Sequence, residues 1–394
     1  MTAGRSGSVK MLQTGEPPLA KKARKKQARG KVTATTRLTE IMKPCVWKEF
    51  PRDLYETVIA RLPITTFFCF RSVCQDWNSL LTSQSFSQQC AQVKQTRQPW
   101  IYATIPGKAN DGAIYDPQSK KWYHPPVPAL LTELIVEPVA SAGGLVCFLD
   151  SEYMTSYVCN PVTASFKELP ARSVDFGAIG MTVNVSSPNA GYKIVCISCD
   201  GEYEIYDSAK NSWGCPGSLP PNIKRPLNLN IKSRAVSIEE TLYFMHSNPD
   251  GIVCYNMTTG VWKQILIPAP LLLSDYTVAE CGGKLMLVGL ENNIASTCIS
   301  VWELQKMTFL WKVVDRMPTQ FCLDFYGKPV ELDFLANKGS VMMSLRSKRK
   351  YRLITCDLSS KEWIKAPRKI PSYGRKRPWL VNGTAFHPCS TDLV

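Results

Sequence analysis

A motif returns six times along this chain at a period close to fifty residues, and few folds accommodate such a repeat. The copies read YDPQSKKW, CNPVTASF, YDSAKNSW, YNMTTGVW, WELQKMTFLW and CDLSSKEW. They end at Trp122, Phe166, Trp213, Trp262, Trp311 and Trp363, spaced by 44, 47, 49, 49 and 52 residues. Each copy sets an acidic or amide residue after an aromatic or cysteine (Asp116, Asn160, Asp207, Asn256 and Asp357 in five of them, Glu303 in the fifth copy), then a polar turn, then Trp or Phe. A proline follows within about eight residues.

Forty-five to fifty residues hold about four short strands, one twisted sheet that cannot cover both of its faces. Packed radially, neighbouring sheets bury each other, and six close a ring. The Asp or Asn before each turn bonds backbone groups of that turn, and the Trp or Phe packs between blades. Local patterning agrees with an antiparallel meander. Lys193–Ser198 and Glu202–Tyr206 read as strands joined by Asp200-Gly201, and Thr241–His246, Ile252–Asn256 and Val261–Ile267 follow the same plan. Gly143-Gly144 and Gly282-Gly283 read as sites of close strand approach at blade entry. Glu239-Glu240 and Lys338-Gly339 stand in the matching places of repeats four and six. The segment WLVNGTAFHPC (379–389) is a strand left over, and repeat one is short of strands. The tail is therefore expected to pair into the first blade and close the ring. The paired glycines, the aromatic–Asp turn and the Trp resemble kelch repeats, which form β-propellers.

Residues 50–81, FPRDLYETVIARLPITTFFCFRSVCQDWNSLL, have a different period. Leu54, Val58 and Leu62 step by four, and Phe67, Phe70, Val73 or Cys74, Trp77 and Leu80 by three or four. Pro51 sits at a helix start and Pro63 between two helical runs. So short a segment cannot bury that much apolar surface alone. Its pattern of Phe50-Pro51, Leu54, Ile59, Leu62-Pro63, Phe67, Arg71, Val73-Cys74 and Trp77 resembles an F-box, with Phe50 in place of the usual leucine. The order of F-box then propeller is similar to plant F-box/kelch-repeat proteins. That resemblance implies a Skp1-like adaptor as partner and, through it, the cullin and RING parts of an SCF ubiquitin ligase. Phe50, Pro51, Leu54, Val58, Ile59, Leu62 and Pro63 would form the Skp1-facing set; Phe70, Val73, Trp77 and Leu80 would pack inward or on the propeller.

The sequence thus predicts a multidomain chain: a disordered basic tail (1–43), an all-α F-box segment (44–90) and an all-β six-bladed kelch-type propeller (91–394). The net charge of +15 is uneven, with eleven Lys/Arg against two acidic residues in the tail, a local +9. Lys21, Lys22, Arg24, Lys25 and Lys26 form a nuclear-import type cluster, so nucleus and cytoplasm are the expected compartments. No aromatic residue interleaves with the lysines, so nucleic acid is not an expected partner. Neither a membrane span nor a signal-peptide core is expected. Fifteen cysteines lie scattered in apolar runs as small buried hydrophobes, and the single CxxC, Cys196 to Cys199, lacks a second pair. Some kelch propellers are copper radical oxidases, yet three separated histidines, His124, His246 and His387, do not make such a site. No GxSxG, P-loop or HExxH occurs.

The chain is therefore expected to be non-catalytic, with no metal or cofactor. It would be the target-binding adaptor of an SCF ligase, or else a nuclear propeller scaffold without a degradative role. Basic runs at Lys348, Arg349, Lys350 and Arg352 and at Arg375, Lys376 and Arg377 are candidates for meeting an acidic target. Deleting Lys21–Lys26 is expected to move a fluorescently tagged protein toward the cytosol. An unchanged nuclear fraction would discard the import role.

Overall fold

The computed structural model describes residues 51–70, 74–80, 83, 85–86, 89–90, 98–104, 112–124, 136–150, 155–183, 191–226, 234–246, 251–270, 273–293, 296–325, 328, 330–347, 350–367 and 382–389. Phe50 and the basic cluster at 21–26 lie outside these residues. The described residues open with the helices α1 (Arg52–Ala60), α2 (Ile64–Phe70) and α3 (Gln75–Ser79). Pro51 opens α1 with φ −57° and ψ 141°, a position where its missing N–H costs nothing. Cys74, extended at φ −156° and ψ 166°, caps α3 and separates it from α2. Ile59, Ala60, Leu80 and Phe86 form the helical core, with Leu62, Trp77 and Cys90 against it. Among the described residues no helix is long and apolar enough to cross a membrane.

Six antiparallel sheets follow. Blade one holds β1 (Trp100–Thr104), β2 (Ala113–Asp116) and β3 (Lys121–Tyr123). Blade two holds β4 (Val136–Ala142), β5 (Leu145–Asp150), β6 (Ser156–Asn160) and β7 (Ser165–Glu168). Blade three holds β8 (Ala178–Val183), β9 (Tyr192–Ile197), β10 (Glu202–Asp207), β11 (Ser212–Trp213) and β12 (Gly217–Ser218). Its outer edge is split at Gly214–Pro216, where proline has no N–H for the ladder. Blade four holds β13 (Val236–Ile238), β14 (Thr241–His246), β15 (Gly251–Asn256) and β16 (Val261–Leu266). Blade five holds β17 (Leu273–Cys281), β18 (Lys284–Asn293), β19 (Ser296–Leu304) and β20 (Trp311–Arg316), followed by the short helix α4 (Thr319–Cys322). Blade six holds β21 (Glu331–Asn337), β22 (Ser340–Ser347), β23 (Lys350–Asp357) and β24 (Glu362–Lys365).

The last strand, β25 (Asn382–Phe386), returns to blade one and becomes its innermost strand, pairing with β1 from Trp100↔Phe386 to Thr104↔Asn382. The ring is thus closed by hydrogen bonds between strands nearly three hundred residues apart in sequence.

The paired glycines have a different physical role from close approach. Gly282 and Gly283 form the β17–β18 turn with φ of +59° and +74°, and a Cβ on either would meet nothing within 4 Å. Gly143 at φ +56°, Glu239 at +52°, and Lys338 and Gly339 at +48° and +81° occupy the matching first hairpins of blades two, four and six. Tight hairpins whose twist matches the strands need positive φ, and glycine supplies it without a steric penalty.

The second repeated turn joins the two outermost strands of each blade. Asp116 Oδ1 accepts the Gln118 N–H at 2.9 Å, and Asn160 Oδ1 that of Val162 at 3.0 Å. Asp207 does the same for Ala209 at 3.0 Å. Asn256 takes Thr258 and Thr259 at 3.0 and 2.8 Å, and Asp357 takes Ser359 and Ser360 at 2.8 and 3.1 Å. Four residues beyond each is a left-handed residue: Lys120, Ala164, Asn211, Gly260 and Lys361. In blade five the left-handed residue is Phe309 at φ +52°, which sets Gln305, not Glu303, as the counterpart of the Asp or Asn. The Gln305 amide turns instead to Glu303 at 3.2 Å. The fifth hairpin therefore lacks the side-chain tie of the others and holds an aromatic residue in a conformation that costs about 1 kcal/mol.

Among the described residues each neighbouring pair of blades shares a buried cluster. Leu242 and Phe244 meet Val195 and Ile197 between blades four and three, for example, and Leu353 and Tyr351 meet Ile101 and Tyr115 between blades six and one. In each case the repeat's aromatic residue faces the preceding blade. Trp122 packs toward blade six, Phe166 toward one, Trp213 toward two, Trp262 toward three, Trp311 toward four and Trp363 toward five. Three indole N–H groups also bond the end of that blade: Trp122 to the Pro367 carbonyl (2.9 Å), Trp213 to that of Pro170 (2.8 Å) and Trp363 to Asp315 Oδ2 (2.7 Å).

The six inner strands neighbour one another around the axis, and each contributes a polar side chain near one end of the channel. Asn337 Nδ2 donates to Ser141 Oγ at 2.8 Å, which lies 2.9 Å from Thr384 Oγ1. Ser237 Oγ donates to Thr182 Oγ1 at 3.1 Å. Lys338 Nζ bonds the Ser237 carbonyl at 2.7 Å and lies 3.7 Å from Glu280, while its own N–H bonds Asn337 Oδ1. Together these bonds join all six strands.

Gly383 stands where β25 enters this ring. A Cβ there would press on the Tyr102 carbonyl oxygen and lie 2.8 Å from Leu335 Cδ1 and 3.1 Å from Ala103 Cα. Gly383→Ala is therefore expected to cost about 1–3 kcal/mol by urea unfolding, whereas Gly282→Asn, which meets open space, should cost less than about 1 kcal/mol.

Candidate partner-docking surfaces

On α1 the spacing of apolar residues divides the helix into two faces. Ile59 and Ala60, 4% and 3% exposed, turn into the helical core, and Glu56 is buried beside them with Ser83 Oγ 3.5 Å from its carboxylate. Tyr55 meets Trp77 edge-on at 6.3 Å, and Leu62 is half-buried. The opposite face carries Pro51, Leu54, Val58 and Arg61, spaced by three, four and three residues. Leu54 is 44% and Val58 52% exposed, and Pro63 continues the exposed surface beyond the helix.

Of the residues expected to face a Skp1-like adaptor, Pro51, Leu54, Val58 and Pro63 are thus at the surface and Leu62 is partly so. Ile59 is a correction: helical phase turns it toward Leu80 and Phe86, so it acts in the core of the segment. Leu80 and Trp77 lie in that core, while the side chain of Phe70 and residue Val73 are outside the described set. Ile64, which the sequence reading did not single out, leaves the helical core. It joins Tyr102, Ile114, Val146, Phe148 and Tyr157 in the cluster between blades one and two. The signal was there, an apolar residue directly after Pro63, but its period fits either helix packing or propeller packing.

On the propeller, Lys350 is exposed and Arg352 half-buried on β23; residues 348–349 and 375–377 lie outside the described set. Arg234, ahead of β13, bonds the Pro138 carbonyl on β4 of blade two. Burial pulls its guanidinium down to about 10, with Glu137 acting in the opposite sense. Desolvation likewise lowers Lys338, against the pull of Glu280. Both cations tie strands of different blades together. Buried thiols behave as apolar filler: desolvation pushes Cys147, Cys159 and Cys196 up to about 12. Cys196 ends up in β9 and Cys199 in the turn after it. His124 is exposed, His246 is buried in β14, and His387 follows β25. Among the described residues no group of three or more His, Cys, Asp or Glu side chains is placed to share a metal ion.

A second exposed apolar surface was missed in the sequence. Met307 (92%), Phe309 (46%), Leu310 (58%) and Val313 (41%) crowd the outer hairpin of blade five. Three apolar residues inside a turn, in the one copy of the motif that lacks Asp or Asn, were the available signal.

Residues 47–89 match the F-box domain family, and residues 113–366 match the F-box associated beta propeller domain family. The chain is 50% identical over 392 residues to F-box only protein 6 of Arabidopsis thaliana, an alignment that covers 98% of this chain and 84% of that one. It is 27% identical to the protein UNUSUAL FLORAL ORGANS of the same plant, over 82% of this chain and 79% of the relative. To an F-box/kelch-repeat protein of that plant it is 25% identical, over 86% and 88%.

The two faces of α1 should respond differently to substitution. Leu54→Asp and Val58→Asp are expected to leave thermal unfolding unchanged within about 0.5 kcal/mol, because both side chains already meet water. Ile59→Ala should destabilise the helical segment by about 2–5 kcal/mol, read as lost helical amide protection in hydrogen exchange.

Proposed function

Because the chain belongs to the F-box proteins that carry an F-box associated beta propeller, we propose that it is the substrate-recognition subunit of an SCF-type E3 ubiquitin ligase. In this reading α1 docks a Skp1-like adaptor and the propeller holds a target protein. One observation carries it most: Leu54 and Val58 stay exposed on a helix whose other face packs through Ile59 and Ala60 onto Leu80 and Phe86, which fits helix-in-groove recognition. No group of the chain enters the chemistry. The adaptor joins the propeller to the cullin and RING parts, and a held target raises the effective concentration of its lysines near the ubiquitin-charged enzyme. Ile64, shared between the helical segment and the first two blades, supports a link between the part that would dock the adaptor and the part that would hold the target.

The second reading keeps the propeller as a nuclear interaction scaffold without degradation. The test separates the two. Purified Skp1-like adaptor is expected to be retained by the wild-type protein and lost, by at least about tenfold, from Leu54→Asp/Val58→Asp. Failure of the wild type to retain it sinks the ligase reading. Retention, together with partner lifetimes that do not change when the protein is depleted, favours the scaffold.

A further inference from the structure

We propose that the outer hairpin of blade five, from Gln305 to Val313, is the docking site for an acidic, apolar linear segment of the target protein. This rests on the reading that the propeller holds a target and names the surface that does so.

The six blades provide an internal comparison. The same turn recurs in each, and five are tied by an Asp or Asn and rounded off by Lys, Ala, Asn, Gly or Lys in the left-handed position. Blade five alone gives up the tie and places Phe309 at φ +52°. Folding does not require this departure, because the other five turns make the same connection without it. In exchange the turn displays Met307, Phe309 and Leu310, with Val313 two residues into β20. None of these four belongs to a buried cluster. A turn that lacks the side-chain tie and keeps apolar side chains in water points to binding.

Charge selects the occupant. Lys306 and Lys312 are exposed on either side of the apolar residues, and neither makes an ion pair among the described residues. The nearest carboxylates in sequence already have partners: Glu303, which lies across the ladder from Lys312, takes Lys284 at 3.1 Å, and Asp315 accepts the Trp363 indole N–H at 2.7 Å. A ligand carrying carboxylates between apolar side chains complements this surface. The chain's own basic tail, with its +9, does not, and a second copy would set lysines against lysines. Shape favours a linear segment over a folded face. The patch spans a single hairpin, and among the described residues β20 pairs on one side only, with β19, which leaves its other edge for an added strand.

The test uses the full-length protein and a fluorescein-labelled pool of short peptides with Phe, Leu or Met at alternate positions and Asp or Glu between them. A matched pool carries Lys in place of the acids. The acidic pool should raise fluorescence anisotropy on binding, more weakly as salt increases, and the basic pool should not. Met307→Ser/Phe309→Asn/Leu310→Ser should lose at least about tenfold in affinity while unfolding at the same temperature or higher, since Asn accepts the left-handed conformation. Lys306→Glu/Lys312→Glu should bind the basic pool instead.

Equal binding of both pools, or of neither, overturns the proposal. So does wild-type affinity in the triple variant, or a lowered unfolding temperature, which would make the patch part of the fold. A wild type that sediments as a dimer beside a monomeric triple variant would assign the patch to contacts between copies and likewise overturn it. Retention of the Skp1-like adaptor, measured on the same samples, reports the ligase reading separately: the triple variant keeps it, and its loss from the wild type would sink that reading without touching this one.

Discussion

Five residue pairs between β25 and β1 hold the termini of a ring whose other strand pairings are all local. A four-stranded blade has two apolar faces and no partner of its own, so each depends on both neighbours. Without the returning strand, blade one would lack its inner member, and the clusters it shares with blades six and two would open to water. The polar lattice at the channel end tightens the same dependence. Thr384 of β25 meets Ser141 of blade two, which meets Asn337 of blade six, so the closing strand is stitched to the blades on both sides of its own. Buried hydroxyls and amides tolerate this setting because each finds a partner on another strand.

The repeating aromatic residue gives the ring a direction. Every copy faces the preceding blade, and in Trp122, Trp213 and Trp363 the indole N–H bonds that blade's outer strand or the carbonyl just beyond it, whereas Trp311 makes no such bond among the described residues. Trp262 is the buried case without that bond. Its N–H is buried without a hydrogen-bond partner among the described residues, and its ring is held instead by Tyr203, Phe244 and Tyr255 at centroid distances of 5.2, 6.3 and 4.5 Å. Aromatic packing there substitutes for the indole hydrogen bond.

Much of this architecture was legible because a repeat states the same instruction several times. Asp116, Asn160, Asp207, Asn256 and Asp357 are legible as turn residues because a short carboxylate or amide reaches only the next two or three N–H groups. Register in the fifth copy was not legible. Glu303 resembles the other acidic residues chemically, but the position is set by the left-handed residue before the outer strand, and backbone conformation is not written in side-chain type. The glycine pairs misled for a related reason. Glycine serves close approach and positive φ alike, and only the open space around Gly282 and Gly283 tells them apart. Along α1, periodicity found the apolar residues but not the face each would take. Ile59 and Val58 are adjacent and equally hydrophobic, and the choice between core and surface belongs to Leu80 and Phe86, which lie across the turn. Ile64 shows the same limit between domains, since its burial depends on Tyr102, Ile114 and Phe148.

Placing blade one's inner strand at residues 382–386 has a temporal consequence. Synthesis runs from the helical segment forward, so the last piece of the first blade emerges after all the others. Until it does, Ile64 sits against a blade that lacks its inner strand, and the helical segment has no finished propeller to brace it. A nascent chain in that state can present its helices but not a closed ring. The join between the helical segment and the propeller is thus the last part of the molecule to be completed, when the closing strand pairs with β1.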